Sequence, residues 1–254
     1  MFSYASHPVS VLGMEIDPDF PGYARDEVAA KMPGCEAIFL QGCGGDVNSR
    51  GGSLRQKAGG LRQVELAREL GHELGRAVCA ALCGELQPLG DELAVGAEYV
   101  QIPFGPQPSE EQVAQAERSE SLIPRTWGEA VRRVWASGHK LPYQLPIEVQ
   151  VVNIGGLYVV AMACETCVEV GLHIKEMLGE RTVMTLGYTN GAWDYFAPEE
   201  AHTEPGYERG YEVYGSFQDT IWPWVQPLGL SVDSETILLR AIKEMVARLE
   251  CASS

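Results

Sequence analysis

The sequence predicts an α/β fold, with α+β as the alternative, in which helices flank a mixed β-sheet. Strand-type and helix-type runs interleave along the whole chain. Two strand runs, Ile147–Ile154 and Leu157–Met162, meet across Gly155-Gly156, which reads as a hairpin turn. No internal repeat or low-complexity tract interrupts the pattern, so residues 1–254 read as a single domain.

The elements follow in order. The chain opens in a strand that ends a few residues before His7. Glu36-Ala-Ile-Phe-Leu-Gln41 is a short buried strand entering the tight loop Gly42-Cys-Gly-Gly-Asp46. From Leu61 to Leu82 the spacing of Leu66, Leu70, Leu74 and Val78 predicts a helix with that stripe facing the core. Glu92–Pro103 is a strand. Residues 104–146 hold Pro106, Pro108, Pro124, Pro142 and Pro146 and read as a helical, proline-rich insertion, with helices at Glu110–Arg118 and Trp127–Ala136. After the hairpin, Thr166–Leu178 is a helix ended by Gly179, and Arg181–Gly187 is a strand. Residues 189–232 are rich in Gly, Pro and aromatics with little periodicity, which predicts a long ordered loop of the functional kind near the C-terminus. A helix over Asp233–Leu249, with Leu238, Ile242, Met245 and Leu249 as its apolar stripe, closes the chain.

Composition narrows the function. Of 254 residues, 45% are hydrophobic and 21% charged, which is ample material for a core. Nineteen Lys+Arg against thirty-five Asp+Glu leave a net charge of −16, the wrong sign for gripping nucleic acid. The longest apolar run, Leu157–Cys164, is far short of the ~20 residues of a membrane span. The segment Met-Phe-Ser-Tyr-Ala-Ser-His-Pro has neither the basic nor the apolar part of a signal peptide, so the chain as written reads as cytoplasmic. Seven cysteines, an odd number, argue against a complete disulfide framework.

Several familiar motifs are excluded by single positions. The Gly42–Asp46 loop lacks the Lys-Ser/Thr of a phosphate-binding loop, and dinucleotide spacing requires glycine at Val47. A nucleophile elbow on Cys43 requires glycine at Gln41. His72-Glu73 begins a zinc-protease signature whose fifth position is Arg76. Cys164-Glu-Thr-Cys167 is a true C-x-x-C and supports a thiol–disulfide reading, against the blander one of two small core residues.

Three segments remain, each a strand running into a polar residue on a loop. In Ser6-His7-Pro8-Val9, Pro8 keeps His7 out of helical geometry. Glu165 follows the apolar run Leu157–Ala163, where a helix-capping carboxylate is the plainer reading. The third, Gly187-Tyr-Thr-Asn-Gly-Ala-Trp-Asp-Tyr195, leads into the long loop. Together they read either as ordinary loop residues or as one shared metal site.

An ordered set of segments resembles the neutral/alkaline, non-lysosomal ceramidase family and its bacterial relatives. These are Tyr4–Ser10, Asp19–Tyr23, Phe39–Asn48, Glu165, Gly187–Asn190 with Tyr195, Pro198–Glu200 and Tyr207-Glu208. The resemblance implies an amidohydrolase in which two His, one Glu and one Tyr hold zinc (Zn2+). His7, Glu165 and Tyr195 match three of these metal ligands, donors suited to zinc, whose open position activates water or polarises an amide carbonyl. Tyr207 matches a tyrosine assisting at the reacting carbonyl, with Tyr211 the alternative if the loop aligns four residues later. The family's nucleophilic serine falls at Asn48, and Ser49 is one residue out of register. Asparagine cannot form an acyl-enzyme. The resemblance therefore implies direct attack by water, with Asn48, Asp46 and the Gly44 and Gly45 amides serving the substrate or the oxyanion. The first zinc histidine belongs to an N-terminal half without a counterpart here, so the chain reads as a C-terminal portion completed by that half or by an oligomer. The implied substrate is a small-molecule N-acyl amide. The competing readings are a catalytically silent ligand- or partner-binding domain and the thiol–disulfide protein.

Overall fold

A computed structural model describes residues 1–11, 14, 16–49, 60–203 and 228–252. Strands β1 (Phe2–Tyr4), β2 (Phe39–Gln41), β3 (Leu93–Pro103), β4 (Gln144–Ile154), β5 (Leu157–Met162), β6 (Glu165–Thr166), β7 (Thr182–Leu186) and β8 (Tyr195–Phe196) alternate with helices. The helices are α1 (Asp19–Lys31), α2 (Gly60–Leu82), α3 (Glu110–Glu117), α4 (Leu122–Ala136), α5 (Val168–Leu178) and α6 (Ser234–Ala252), with a 3-10 turn at Glu199–Thr203. This is the α/β class the sequence predicts, with a mixed sheet.

The main sheet has the order β3-β4-β5-β7, antiparallel across its first two pairings and parallel across the last. Gly155 and Gly156, at φ 56° and 98°, make the β4–β5 turn that needs two left-handed residues. Helix α5 crosses from β5 to its parallel neighbour β7 and stops at Gly179, where φ is 68°. Along β4, Leu145, Ile147, Val149 and Val151 are buried on one face. They share a core with Val100 and Ile102 of β3, Trp127 and Val131 of α4, and Leu238, Ile242 and Met245 of α6. On the opposite face Leu93, Val95 and Tyr99 of β3 lie open to solvent.

The expected buried strand Glu36–Gln41 forms only over Phe39–Gln41 and is half-buried, and two helices depart further from the sequence reading. Helix α1 is not among the elements expected above. It forms despite Pro18, Pro21 and Gly22, because both prolines lie at or before the first turn, where a missing N–H costs nothing. Helix α2 forms where expected but turns a different face inward. Ala67, Gly71, Gly75 and Cys79 are buried, whereas Leu66, Leu70, Leu74 and Val78 are only half-buried. A Cβ on Gly71 would lie 2.6 Å from the Phe20 carbonyl, and one on Gly75 2.7 Å from that of Ala24. Close approach to the α1 backbone, not leucine volume, sets the packed face. Leu70 and Leu74 instead line a cavity of about 280 Å³ with Tyr4 and Phe20. The expected long loop over 189–232 contains β8 and the 3-10 turn, and its remainder lies mostly outside the described residues. No helix among the described residues is long and apolar enough to cross a membrane.

Candidate metal centre

The glycine-rich loop joins the segments that carry the candidate residues. Strand β1 runs parallel to β2, and the chain beyond it continues alongside the loop: Gly42 N donates to Tyr4 O at 3.0 Å and His7 N to Val47 O at 2.8 Å. An isolated parallel bridge pairs His7 with Asn48. On the loop's other side Gly45 N donates to Thr166 O at 2.9 Å. Strand β6 pairs in parallel with β8, which puts Glu165 level with Tyr195. The turn after β7 folds back over these residues, with Tyr188 N donating to Cys164 O at 2.9 Å. Three stretches far apart in sequence thus converge on one loop.

The polar contacts at this point are specific. The His7 Nε2 atom lies 2.6 Å from Gly45 O. A carbonyl only accepts, so Nε2 is the donor and, of the two neutral tautomers, the one that leaves Nδ1 its lone pair fits this contact. That Nδ1 is 3.2 Å from the Tyr188 hydroxyl, which donates to Glu165 Oε2 at 3.2 Å. The two rings meet edge to face, with centroids 6.0 Å apart. Burial first, and then the Glu165 charge, holds the Tyr188 phenol above its ordinary pKa. Below them Asp194 is buried; desolvation, reinforced by Glu165, pushes its carboxyl up to about 8, while the Tyr195 N–H it accepts pulls the other way.

The other expected residues are placed as follows. Asp46 is exposed, and its Oδ1 accepts from Val168 N at 2.8 Å, so it caps α5. Glu165 does not take that capping role. The Gly45 amide is already occupied by Thr166 O, and its carbonyl orients His7. Asn48 is exposed beside His7. Tyr207 and Tyr211 lie outside the described residues. Cys164 and Cys167 are buried and form no disulfide, and burial pushes the Cys164 thiol up to about 12. That is opposite to the depressed pKa of a reactive thiolate and weighs against the thiol–disulfide reading.

The sequence reading did not single out Tyr188, which touches His7 and Glu165, or Asp194, whose carbonyl accepts from Glu165 N. Tyr188 had a signal, since it directly follows the predicted strand Arg181–Gly187, much as the other candidates lie just past strands. Also missed was a second group, His173, Glu200 and Glu235, whose donor atoms lie within 4.8 Å of one another and could hold a metal ion. In the structure His173 Nδ1 is paired with Glu235 Oε1 at 2.7 Å, and Glu235 Oε2 accepts from Glu199 N at 2.8 Å. The Glu235 hydrogen bond comes first among the causes that raise the His173 pKa. A raised histidine pKa contributes stability fully below the unfolded value of about 6.5, lost as pH climbs through the folded value. His173→Gln is therefore expected to lower the melting temperature by roughly 2–4 °C near pH 6, about 1 kcal/mol after solvent screening. The difference should shrink at alkaline pH, and thermal melts across pH read it directly.

No family model matches the chain, and comparison with curated proteins finds no match. Solved structures do match. One is the neutral ceramidase from Pseudomonas aeruginosa, at 20% identity and a TM-score of 0.54, over 94% of this chain and 44% of that one. Another is a ceramidase complexed with C2, at 15% identity and a TM-score of 0.60, over 98% of this chain and 45% of that one. The chain thus spans less than half the length of either. Likeness at this level of identity establishes fold alone, and the fold is ceramidase-like.

Proposed function

We propose that this chain is a zinc-binding, ceramidase-like amidohydrolase domain acting on an N-acyl amide, with His7, Glu165 and Tyr195 as the metal ligands. The observation that carries the reading is the convergence of His7 Nδ1 and Glu165 Oε2 on one atom, each 3.2 Å from it. A backbone carbonyl fixing the far nitrogen of a ligating histidine is the usual support of such a site. The neighbouring strand carries Tyr195 level with Glu165. Imidazole, carboxylate and phenol are a donor set zinc accepts, and bound zinc would polarise an amide carbonyl and acidify water.

The chain's own groups supply the rest. Gly45 O keeps the proton on His7 Nε2 and so aims Nδ1. Asn48, exposed next to His7, offers both a donor and an acceptor to a substrate amide. Gly44 and Gly45 hold the loop between the two ligand-bearing segments. Asn48 also favours a second reading, a domain that binds metal and ligand without turnover, because it cannot be acylated.

Metal analysis of the purified protein, with amide hydrolysis assayed on the same samples, tests both. Zinc near one equivalent, lost together with N-acyl amide cleavage in His7→Ala and Glu165→Ala, is the expected result. The loss in affinity should exceed the ~10–100-fold that follows removal of a group supporting a ligand. Zinc without cleavage would favour the silent domain. Less than about a tenth of an equivalent, unmoved by either substitution, would end the metal reading.

A further inference from the structure

We propose that Tyr188 is itself a donor to the metal, set between His7 and Glu165. This rests on the metal-site reading above, and it adds a residue that the sequence resemblance did not assign.

The first ground is the count of protons. His7 Nε2 donates to Gly45 O, so on the neutral ring Nδ1 can only accept. Glu165 Oε2, in a carboxylate, can only accept. The Tyr188 hydroxyl lies 3.2 Å from both and has one proton to give. With Nε2 donating to Gly45, the Nδ1 and Oε2 lone pairs both face the one hydroxyl. A cation at this point would be met by both lone pairs and by the phenol oxygen, which the zinc and cobalt readings below test.

The second ground is spacing. Zinc bonds to nitrogen and oxygen are ~2.0–2.1 Å, and tetrahedral angles then put neighbouring donors roughly 3.3 Å apart. The two distances that link Nδ1, the Tyr188 hydroxyl and Oε2 are both 3.2 Å. Both separations from the Tyr188 hydroxyl match those of ligands that share an ion.

The third ground is the backbone. Tyr188 has φ 56°, in the left-handed region that a bulky residue rarely adopts. Its amide is held by Cys164 O and that of Thr189 by Met162 O, both at 2.9 Å, so the turn is pinned to the end of β5. Strain maintained at a cluster of polar side chains is characteristic of functional sites. Here it brings the phenol to His7, 181 residues away in sequence.

The test compares the intact chain with Tyr188→Phe, Tyr188→His, Tyr195→Phe and Glu165→Gln, reading zinc affinity by competition and the visible spectrum of the cobalt-substituted protein. Tyr188→Phe is expected to weaken zinc at least ~10-fold and to change the cobalt spectrum, and Tyr188→His, which returns a donor, should restore affinity. Tyr188→Phe binding zinc as tightly as the intact chain, with an unchanged cobalt spectrum while Glu165→Gln loses metal, would overturn the role of Tyr188 and leave the site standing. An intact chain that binds no zinc would remove the site reading, and the proposal with it. Should Tyr188→Phe not fold, ultraviolet difference absorption of Tyr195→Phe on zinc addition decides the same question. A tyrosinate signal that persists there supports Tyr188 as donor, and its absence overturns it.

Discussion

Gly45→Ala is expected to lower the melting temperature by roughly 5–15 °C and, on the metal-site proposal, to weaken zinc binding with it. The added Cβ would stand 2.6 Å from Glu165 O and 3.0 Å from Glu165 C. These are backbone atoms and cannot rotate away, so the loop or β6 must shift. Overpacking of this kind costs ~1–3 kcal/mol. The shift also loosens the Gly45 N–H bond to Thr166 O and the His7 contact to Gly45 O, at about 1 kcal/mol each. The useful control is Gly34→Ala. There φ is 88° and a Cβ would meet nothing within 4 Å, so only the left-handed backbone penalty of ~1–2 kcal/mol applies. A melting temperature for Gly45→Ala no lower than that of Gly34→Ala, with metal retained, would show that the close approach is not needed.

Trp127→Ala should be the most destabilising single truncation in the segment read as an insertion, at ~3–5 kcal/mol. The side chain is 1% exposed and packs in the same core as Ile147, Val149 and Ile242. Removing it leaves a cavity bounded by sheet and helix residues that are held from several sides. Urea denaturation should show a lower midpoint with an unchanged slope. Leu122→Ala on the same helix, where the side chain is 58% exposed, should move the midpoint little. Equal effects of the two substitutions would mean that the helix pair is only loosely attached to the sheet.

Much of the architecture was legible because its causes are local. The Gly155-Gly156 turn, the alternation along Ile147–Ile154, Gly179 at the end of α5 and the extent of α2 each depend on residues within a few positions of one another. The placement of His7 and Glu165 just beyond the ends of β1 and β5 was also legible, and the resemblance to ceramidases pointed to the fold that the solved structures share.

What local pattern could not reach was which atoms meet. The leucine spacing of α2 identified a helix but not its packed face, since that choice depended on how near the α1 backbone could come. Asp46 and Glu165 are both carboxylates beside the start of α5. Only the tertiary structure assigns capping to Asp46 and leaves Glu165 facing Tyr188 and His7. Tyr188 is one aromatic among several in its segment until the left-handed turn and the β5–β7 register carry its hydroxyl across the site. Short-range propensity determines which elements form and where they end. Long-range convergence depends on strand register, on backbone approach permitted by glycines, and on the burial that follows, and these exist only once the chain has folded.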